Sequence, residues 1–589
     1  MQTETKTCQN CKADFVIESD DFAFYEKVQV PPPTFCPDCR YQRRLMFRNE
    51  RALYKRKCDL CEKDMVSSFS PDKPYTVYCN PCWYSDKWDQ LEFGQDYDPN
   101  KKFFDQLKEL TLKTPFMSLI VDTPNLVNSE YLTHAGSCKN CYLICNADFC
   151  ENVLYSEMVI TVKDSMDVIM CGESQLCYQI VNTGKSSRVF FSEDCQGCQD
   201  VYFSKDLIGC DNCFGCSNLR KQKYHIWNEP YTKEEYEEKI KEFKLDSYKS
   251  IEELKKKARE HWLKYPNKFM HGRQNKNSSG EYVFFSKNSK NTYRSRYAED
   301  TRYCQMLTIP STKDSYDLTE WGNGAELIYD TITSGEGTSN IKFCFAAWNV
   351  AQNVEYSMHI ITSKNIFGCT SLRNKEFCIL NKKYSEEEYK KLREQIIKDM
   401  NESPYTDSKG RVWKYGEFLP YDISTFKYNE STAKQYFPMT KEEALEKGWQ
   451  WHDQEPSKHK PTIKAKDIPD SIKYVSDNML KEIIECEECN KAFKIIKPEL
   501  ELLRRFGFPL PRKCPDCRHD ERMTRVNKQK LHKRKCQCAG EKSDNNVYQN
   551  TTSHIDHEKE HCPNEFETAY SPDREEIVYC EKCYQGEVS

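Results

Sequence analysis

The sequence predicts a mostly β protein in which two duplicated repeat halves lie between a small cysteine-rich module at each end. Three observations support this organisation. Cysteine pairs separated by two residues cluster at both ends, short apolar or aromatic cores recur about every 12 residues in the middle, and the two middle runs end in matching text. A chain of 589 residues is also long enough for several domains.

The cysteine pairs at the two ends repeat one design. In each copy 24 residues separate the first two pairs, and 18 residues separate the second pair from the next cysteine. The text Cys-Pro-Asp-Cys-Arg occurs in both copies, at residues 36–40 and 514–518. A duplication explains both matches. The candidate metal ligands are Cys8, Cys11, Cys36, Cys39, Cys58, Cys61, Cys79 and Cys82 in the first module, and Cys486, Cys489, Cys514, Cys517, Cys536, Cys538, Cys562, Cys580 and Cys583 in the second.

The copies diverge at the last site. Seventeen residues precede Cys580 after Cys562, as they precede Cys79 after Cys61. An insertion splits the first pair of this last site, so five cysteines compete for four places. We favour Cys536, Cys562, Cys580 and Cys583, with Cys538 as the rival.

Paired Cys-x-x-Cys turns predict structural zinc. Each turn aims two sulfurs at one ion, and two turns complete a tetrahedron that leaves no position for water. Thirty-two cysteines in a chain whose polar start does not look like a secretory signal indicate a reducing, cytoplasmic protein. About four zinc ions per chain are expected; disulfides, free thiols and an iron–sulfur cluster are the alternatives.

Residues 8–44 and 486–518 resemble a zinc-ribbon (treble-clef) domain family of bacterial proteins. The matching features are the first cysteine pair, a following phenylalanine (Phe15, Phe493), an aromatic or apolar stretch and Cys-Pro-Asp-Cys-Arg. The resemblance implies zinc and a small α+β fold, and it implies no activity. It covers about a tenth of the chain.

A basic segment follows the second cysteine pair in both copies. Residues 40–57 carry eight cationic side chains against one acidic one, and residues 518–535 carry eight against two, in a chain whose net charge is −5. We predict helices here that track a phosphate backbone. The alternative is a solvated helix, or arginines that neutralise the thiolates. The candidate nucleic-acid contacts are Arg40, Arg43, Arg44, Arg48, Arg51, Arg518, Arg522, Arg525, Lys528 and Lys530.

The middle of the chain predicts stacked β-coils. Polar-flanked cores continue over eight units in each half, which favours a β-solenoid of the parallel β-helix kind over a Greek-key sandwich. The mid-chain cysteines are then interior thiols, with a further metal site as the alternative. The predicted units are zinc module 1–95, helical connector 96–137, repeat halves 138–230 and 271–383 with a helical linker 231–270, aromatic connector 384–470 and zinc module 471–589.

These features predict a zinc-binding, non-catalytic interaction scaffold. Nucleic acid or a ribonucleoprotein is the leading partner, and a protein partner is the first alternative. A carbohydrate-active or other enzyme on the β-helix face is the second, because aspartates recur at its turns. No run of residues has the length and apolarity of a membrane span, so no membrane association is expected.

Overall fold

The computed structural model describes residues 2–453 and 459–588. The five residues between them fall inside the aromatic connector predicted over 384–470, and that part of the prediction lies outside the described residues. The protein is strand-rich, with a large curled parallel sheet in each repeat half and small cysteine-bearing units at both ends. None of the helices in the described ranges has the length and apolarity needed to cross a membrane.

The N-terminal unit is built from short hairpins and helices. Its strands are Glu4–Thr7, Asp14–Ile17, Tyr54–Lys57, Asp64–Ser67 and Val77–Tyr78, and its helices are Ser19–Lys27, Pro37–Leu45 and Asn80–Trp83. A helix over Phe103–Lys113 and a short strand, Phe116–Met117, lead into the first repeat half. That strand pairs in parallel with Val77–Tyr78 of the N-terminal unit, so the connector is tied to the module that precedes it.

The first repeat half is a parallel ladder whose register is 12 residues. Its strands are Leu132–Gly136, Ile144–Asp148, Glu151–Leu154, Glu157–Gln175, Tyr178–Gly184, Ser187–Phe190, Gln199–Tyr202, Asp211–Phe214 and Lys223–Ile226, closed by the antiparallel strand Glu229–Pro230. The steps of 15 and 9 that the apolar cores suggested add up to two turns of this regular register. Parallel bridges already join Val121 to Ala135 and Val127 to Lys139, so the ladder begins before the predicted residue 138.

The backbone of the ladder turns a corner at every third residue. Asn152, Tyr155, Met158 and Thr161 all have φ between 49° and 57°, a region that few side chains other than glycine adopt readily. The residue after each corner points inward, which places small side chains inside. One interior row runs Cys141, Val153, Ser165, Cys177, Val189, Val201 and Cys213, all of them buried.

The second repeat half has the same design with a longer register. Its strands are Gly272–Arg273, Gly280–Phe284, Thr292–Arg296, Ala298–Arg302, Thr312–Trp321, Ala325–Gly335, Ser339–Lys342, Phe345–Trp348, Gln352–Glu355, Met358–Ile361, Lys364–Phe367, Thr370–Arg373, Glu376–Ile379 and Lys382–Lys383. Thr312 pairs with Ala325, 13 residues on, and the register returns to 12 where Lys364 pairs with Glu376. Between the halves lie helices Lys233–Glu242 and Tyr248–Trp262 and strand Asn267–Lys268.

The C-terminal part returns to short elements. After helix Glu386–Glu402 come strands Tyr405–Thr406 and Val412–Trp413 and helices Ala433–Tyr436 and Lys441–Glu446. The last unit has strands Ile463–Lys464, Ile484–Glu485, Ala492–Phe493, His532–Lys535, Glu565–Thr568 and Val578–Tyr579, and helices Lys497–Phe506, Pro515–Thr524 and Glu581–Val588.

The two cysteine-bearing units dock crosswise on the repeat halves. Helix Pro37–Leu45 of the N-terminal unit packs on strands Thr312–Trp321 and Ala325–Gly335 of the second half. Helix Pro515–Thr524 of the C-terminal unit packs on strand Glu157–Gln175 of the first half. Each terminal unit therefore closes the half that is remote from it in sequence.

Candidate metal centres and the buried arginine helices

Four groups of four cysteines converge in the structure. In each group the sulfur atoms lie within 4.8 Å of one another, so each group could hold a metal ion. The groups are Cys8, Cys11, Cys36 and Cys39; Cys58, Cys61, Cys79 and Cys82; Cys486, Cys489, Cys514 and Cys517; and Cys536, Cys562, Cys580 and Cys583.

A tight turn positions the first cysteine pair in the first three groups. Lys12, Glu62 and Asn490, each directly after the second cysteine of its pair, have φ of 64°, 59° and 59°. Their amides donate to the carbonyl oxygen of the first cysteine at 3.0, 2.9 and 3.0 Å. Two intervening residues thus bring both sulfurs to one side of the turn, which is why this spacing recurs in metal sites.

The second pair lies at the start of a helix. Cys36, Cys79 and Cys514 each precede the first helical residue, where free N–H groups favour nearby negative charge. The amide of this cysteine, and that of Cys580 in the fourth group, donates to the sulfur of its group's first cysteine at 3.2–3.3 Å. Sulfurs of neighbouring pairs lie 3.7–3.9 Å apart. Metal–sulfur bonds of about 2.3 Å give tetrahedron edges of about 3.8 Å, so the spacing fits a bound ion.

The structure places Cys536, and not Cys538, in the last four-cysteine group. The Cys580 amide donates to Cys536 Sγ at 3.2 Å, as the Cys79 amide does to Cys58 Sγ. The insertion leaves the group after Cys536 and returns to it at Cys562, whose amide donates to the Cys538 carbonyl oxygen at 2.9 Å. Cys538 itself lies beside Cys583 with His554 and His557.

The first arginine helix, Pro37–Leu45, buries its guanidinium groups instead of presenting them to solvent. Arg40 donates to Asp317, and Arg44 donates to both Asp317 and Asp330, at 2.7–3.0 Å. Arg43 donates to Asp330 at 2.8 Å and to Glu417 at 3.0 Å. Three guanidinium groups therefore meet three carboxylates in a water-free layer between helix and sheet.

The second arginine helix, Pro515–Thr524, repeats this arrangement on the other half. Arg518 contacts Asp167 at 3.3 Å and Glu499 at 2.8 Å, and Arg522 contacts Asp167 at 3.0 Å. Burial, with Arg518 and Arg525 nearby, lowers the pKa of Arg522 to about 10 despite Asp167. For Arg518 the two carboxylates outweigh burial and raise the pKa.

This burial corrects the prediction that these arginines contact nucleic acid. Arg40, Arg43, Arg44, Arg48, Arg518 and Arg522 are at most 4% exposed, and Arg525 contacts Glu193 at 3.3 Å. The predicted helices are also shorter than the basic segments, because Tyr54–Lys57 and His532–Lys535 form hairpin strands with Asp64–Ser67 and Glu565–Thr568.

The three remaining basic candidates lie nearer the surface. Arg51 bonds to Asp516 and Lys530 bonds to Asp38, both at 2.8 Å, while Lys528 is exposed. Asp38 and Asp516 occupy the same place in the two Cys-Pro-Asp-Cys motifs. Each terminal unit thus holds the other through a reciprocal surface ion pair.

Three glutamates are buried where the two halves approach each other. Arg48 contacts Glu320 at 2.8 Å, Asn146 donates to Glu50 at 2.8 Å, and Gln435 donates to Glu157 at 2.8 Å. Burial, with Glu50 beside it, raises the pKa of Glu157 to about 7. Burial, with Glu50 and Glu157, raises the pKa of Glu320 to about 8 despite Arg48.

Sequence reasoning missed the carboxylates that receive the arginines. Asp317 and Asp330 lie 277–287 residues from their partners, so no local pattern links them. The usable signal was an aspartate between apolar residues in a strand, as in Tyr316-Asp317-Leu318. A charged residue there must be buried, and a buried charge needs a partner.

Comparison with known proteins adds no assignment. No protein-family model matches the chain, and no curated protein matches it. Among solved structures, an inferred acetyltransferase from Desulfovibrio desulfuricans G20 aligns over 49% of this chain and 84% of its own. The identity is 9% and the TM-score is 0.09, so this likeness carries no argument about fold or function.

Proposed function

We propose that the protein is a zinc-dependent, non-catalytic scaffold in which metal modules hold two repeat halves together as one body. The observation that carries the proposal is the course of the two arginine helices. Each helix begins at a four-cysteine group and ends its path in a buried carboxylate layer of a repeat half. An ion that fixes the start of the helix therefore also fixes the docking of the half.

Zinc is the ion that these groups suit best. Four thiolates form a closed shell, which is typical of structural zinc and leaves no position for a substrate. The resemblance to zinc-ribbon modules supports the same choice. In small zinc domains the apparent binding energy is about 10–16 kcal/mol, enough to order units whose own apolar cores are small.

We infer that each repeat half is a four-sided β-solenoid. Residues 12 apart pair in parallel on several faces, corners recur at every third residue, and interior rows consist of cysteine, serine and valine. A solenoid contributes a long rigid surface, and its outer rows carry regular polar ladders such as Asn128–Asn140–Asn152. Such a surface suits binding a protein partner in the cytoplasm, where thiols stay reduced.

The proposal is tested by metal analysis of the intact chain. Zinc and iron are measured together after purification from zinc-supplemented culture, with the 260/280 nm absorbance read on the same sample. We expect at least four zinc ions per chain, no iron and no bound nucleic acid. Fewer than four ions, or iron in their place, would contradict the zinc assignment.

A pair of serine variants supplies the control. Cys39→Ser removes a ligand of the first group and should lower the zinc content by one ion. Cys177→Ser changes an interior thiol of the first repeat half, which donates to the Gln175 carbonyl oxygen, and should leave the content unchanged. Equal zinc loss in both variants would mean that general unfolding, and not ligation, sets the metal content.

A further inference from the structure

We infer that the insertion between Cys536 and Cys562 builds an additional metal site, fused to the last four-cysteine group through a shared Cys583. The inference rests on the zinc assignment above and extends it. Cys538, His554, His557 and Cys583 form a second set of four ligand atoms within 4.8 Å of one another, and all four residues are buried. Cys583 belongs to both sets, so its sulfur would bridge two ions.

The distances in this set fit a tetrahedron of two sulfurs and two nitrogens. Cys538 Sγ lies 3.3 Å from His554 Nδ1 and 3.8 Å from His557 Nε2, and Cys583 Sγ lies 3.2 Å from His557 Nε2. Zinc bonds of about 2.3 Å to sulfur and about 2.0–2.1 Å to nitrogen give edges of about 3.3–3.8 Å.

The proton positions on the two imidazoles point to a cation between them. His557 Nδ1 lies 2.9 Å from the Glu560 carbonyl oxygen, which can only accept, so Nδ1 carries the proton and Nε2 is free. His554 Nε2 lies 2.8 Å from a Glu587 carboxylate oxygen, which leaves Nδ1 free by the same reasoning. The two free nitrogens face each other at 3.1 Å.

Two unprotonated nitrogens at that distance repel each other unless a positive charge lies beside them. An ion bound to both removes the conflict and uses the outward N–H groups as they stand. A histidine ligand usually donates its other N–H to a carboxylate or a backbone carbonyl, which is what Glu587 and Glu560 provide. Asn550 also donates to Cys538 Sγ at 3.1 Å, as expected for a thiolate.

The burial pattern of the insertion is a second, independent observation. Residues 537–561, all described, contain no α-helix and no strand longer than an isolated bridge. Its buried residues include no aliphatic or aromatic side chain; they are Cys538, Gly540, Ser543, His554 and His557. Ile555 is 94% exposed and Val547 is 50% exposed. A segment that exposes its apolar residues and buries two imidazoles has no hydrophobic reason to fold, and ligation supplies one.

The charge balance also favours sharing. One zinc ion held by four thiolates leaves a net charge of about −2. Adding a second ion, one thiolate and two neutral imidazoles brings the whole cluster to about −1, because the bridging sulfur serves both ions. A closed, dinuclear cluster therefore costs less buried charge than two separate four-thiolate sites.

Native mass spectrometry of the zinc-loaded full chain tests the inference by counting ions. We expect one more ion than the four-cysteine groups account for, and we expect His554→Ala/His557→Ala to lose that one ion. His561→Ala is the matched control, since this exposed histidine of the same insertion pairs with Asp544 and should keep the full count. A wild-type chain with four ions, and an unchanged count in the double variant, would overturn the inference and leave the four-cysteine assignment standing.

Cobalt substitution tests the bridge without any variant. Two cobalt ions joined by one sulfur couple magnetically, so the low-temperature EPR intensity should account for two fewer ions than the measured cobalt content. Intensity equal to the full cobalt content would refute a shared Cys583. Absence of metal from all the cysteine groups is a separate result, which would remove the zinc assignment itself.

Discussion

At the scale of single residues, the arginine–carboxylate layer has the largest consequences for stability. Asp317 accepts from two fully buried guanidinium groups, those of Arg40 and Arg44. Removing one partner from a buried ion pair leaves the other charge unsolvated and costs about 3–5 kcal/mol. The same change at a surface pair costs about 0–1 kcal/mol.

Asp317→Ala is therefore expected to lower the free energy of unfolding by about 3–5 kcal/mol. Asp314→Ala is the control, because Asp314 lies on the same strand, is 30% exposed and pairs with Lys27 at the surface. It should cost no more than about 1 kcal/mol. Denaturant unfolding of both variants at equal zinc content measures the difference, and similar losses would argue against a buried charge layer.

The buried glutamates give stability a pH dependence of unusual sign. The pKa values of Glu157, at about 7, and Glu320, at about 8, lie above the value near 4.3 of an unfolded glutamate. The folded state then binds more protons than the unfolded state, so this contribution is present at low pH and is lost as pH rises through 7–8.

Glu320→Gln should remove much of that dependence, because an amide resembles the protonated acid and cannot ionise. We expect the melting temperature of the wild type to fall more between pH 6 and pH 8.5 than that of the variant, both measured with zinc in excess. Parallel slopes would show that Glu320 does not titrate in this range. Arg48, Asn146 and Glu50 remain in place around the variant side chain.

At the scale of elements, the parallel ladder leaves no room at certain glycines. Gly280 begins strand Gly280–Phe284 with φ of 141°, and a Cβ there would lie 1.6 Å from the Thr292 carbonyl oxygen on the next strand. Gly197 also has positive φ, 63°, but nothing lies within 4 Å of its Cβ position.

Gly280→Ala should break the pairing with Thr292–Arg296 and destabilise the second half by several times the cost of Gly197→Ala. The latter change meets only backbone strain, about 1 kcal/mol. Hydrogen exchange of the peptides covering 280–296 would report the local opening. Similar exchange in both alanine variants would mean that backbone strain alone decides the cost.

At the scale of the whole molecule, the crosswise docking makes remote regions depend on each metal group. Cys8→Ser loosens the turn that anchors helix Pro37–Leu45, and that helix covers strands of the second half. Hydrogen exchange should therefore rise in residues 312–335 and stay low in residues 157–175. Cys486→Ser is the mirror control, in which the two regions exchange roles. Exchange that rises only around the mutated cysteine would contradict docking through the metal modules.

How much of this was predictable depends on sequence distance. Cysteine spacing predicted the convergent four-cysteine groups because both partners of each turn lie two residues apart. The 12-residue period was visible, but the stacking of cores was not, since cores of adjacent coils differ in residue type. The fate of Arg43 and Arg44 was not predictable, because Asp330 lies 286–287 residues away and an arginine run looks alike whether it meets phosphate or carboxylate.

The histidines of the insertion show the opposite case. His554 and His557 stand three apart beside several cysteines, which is a recognisable ligand pattern. The five-for-four competition among the cysteines hid it, because Cys538 was weighed only as a rival for Cys536. Two groups that share Cys583 remove the competition altogether.

The crosswise docking also sets an order of events during synthesis. Arg40 and Arg43 leave the ribosome 277–287 residues before Asp317 and Asp330. At about 5–20 residues per second, this leaves the cationic helix uncovered for roughly 14–57 s. During that interval its first cysteine group can already take up an ion, while its guanidinium face is open to any polyanion in the cell. The nascent chain is thus a different electrostatic object from the finished one, and newly made protein needs its second half before it is safe from such encounters.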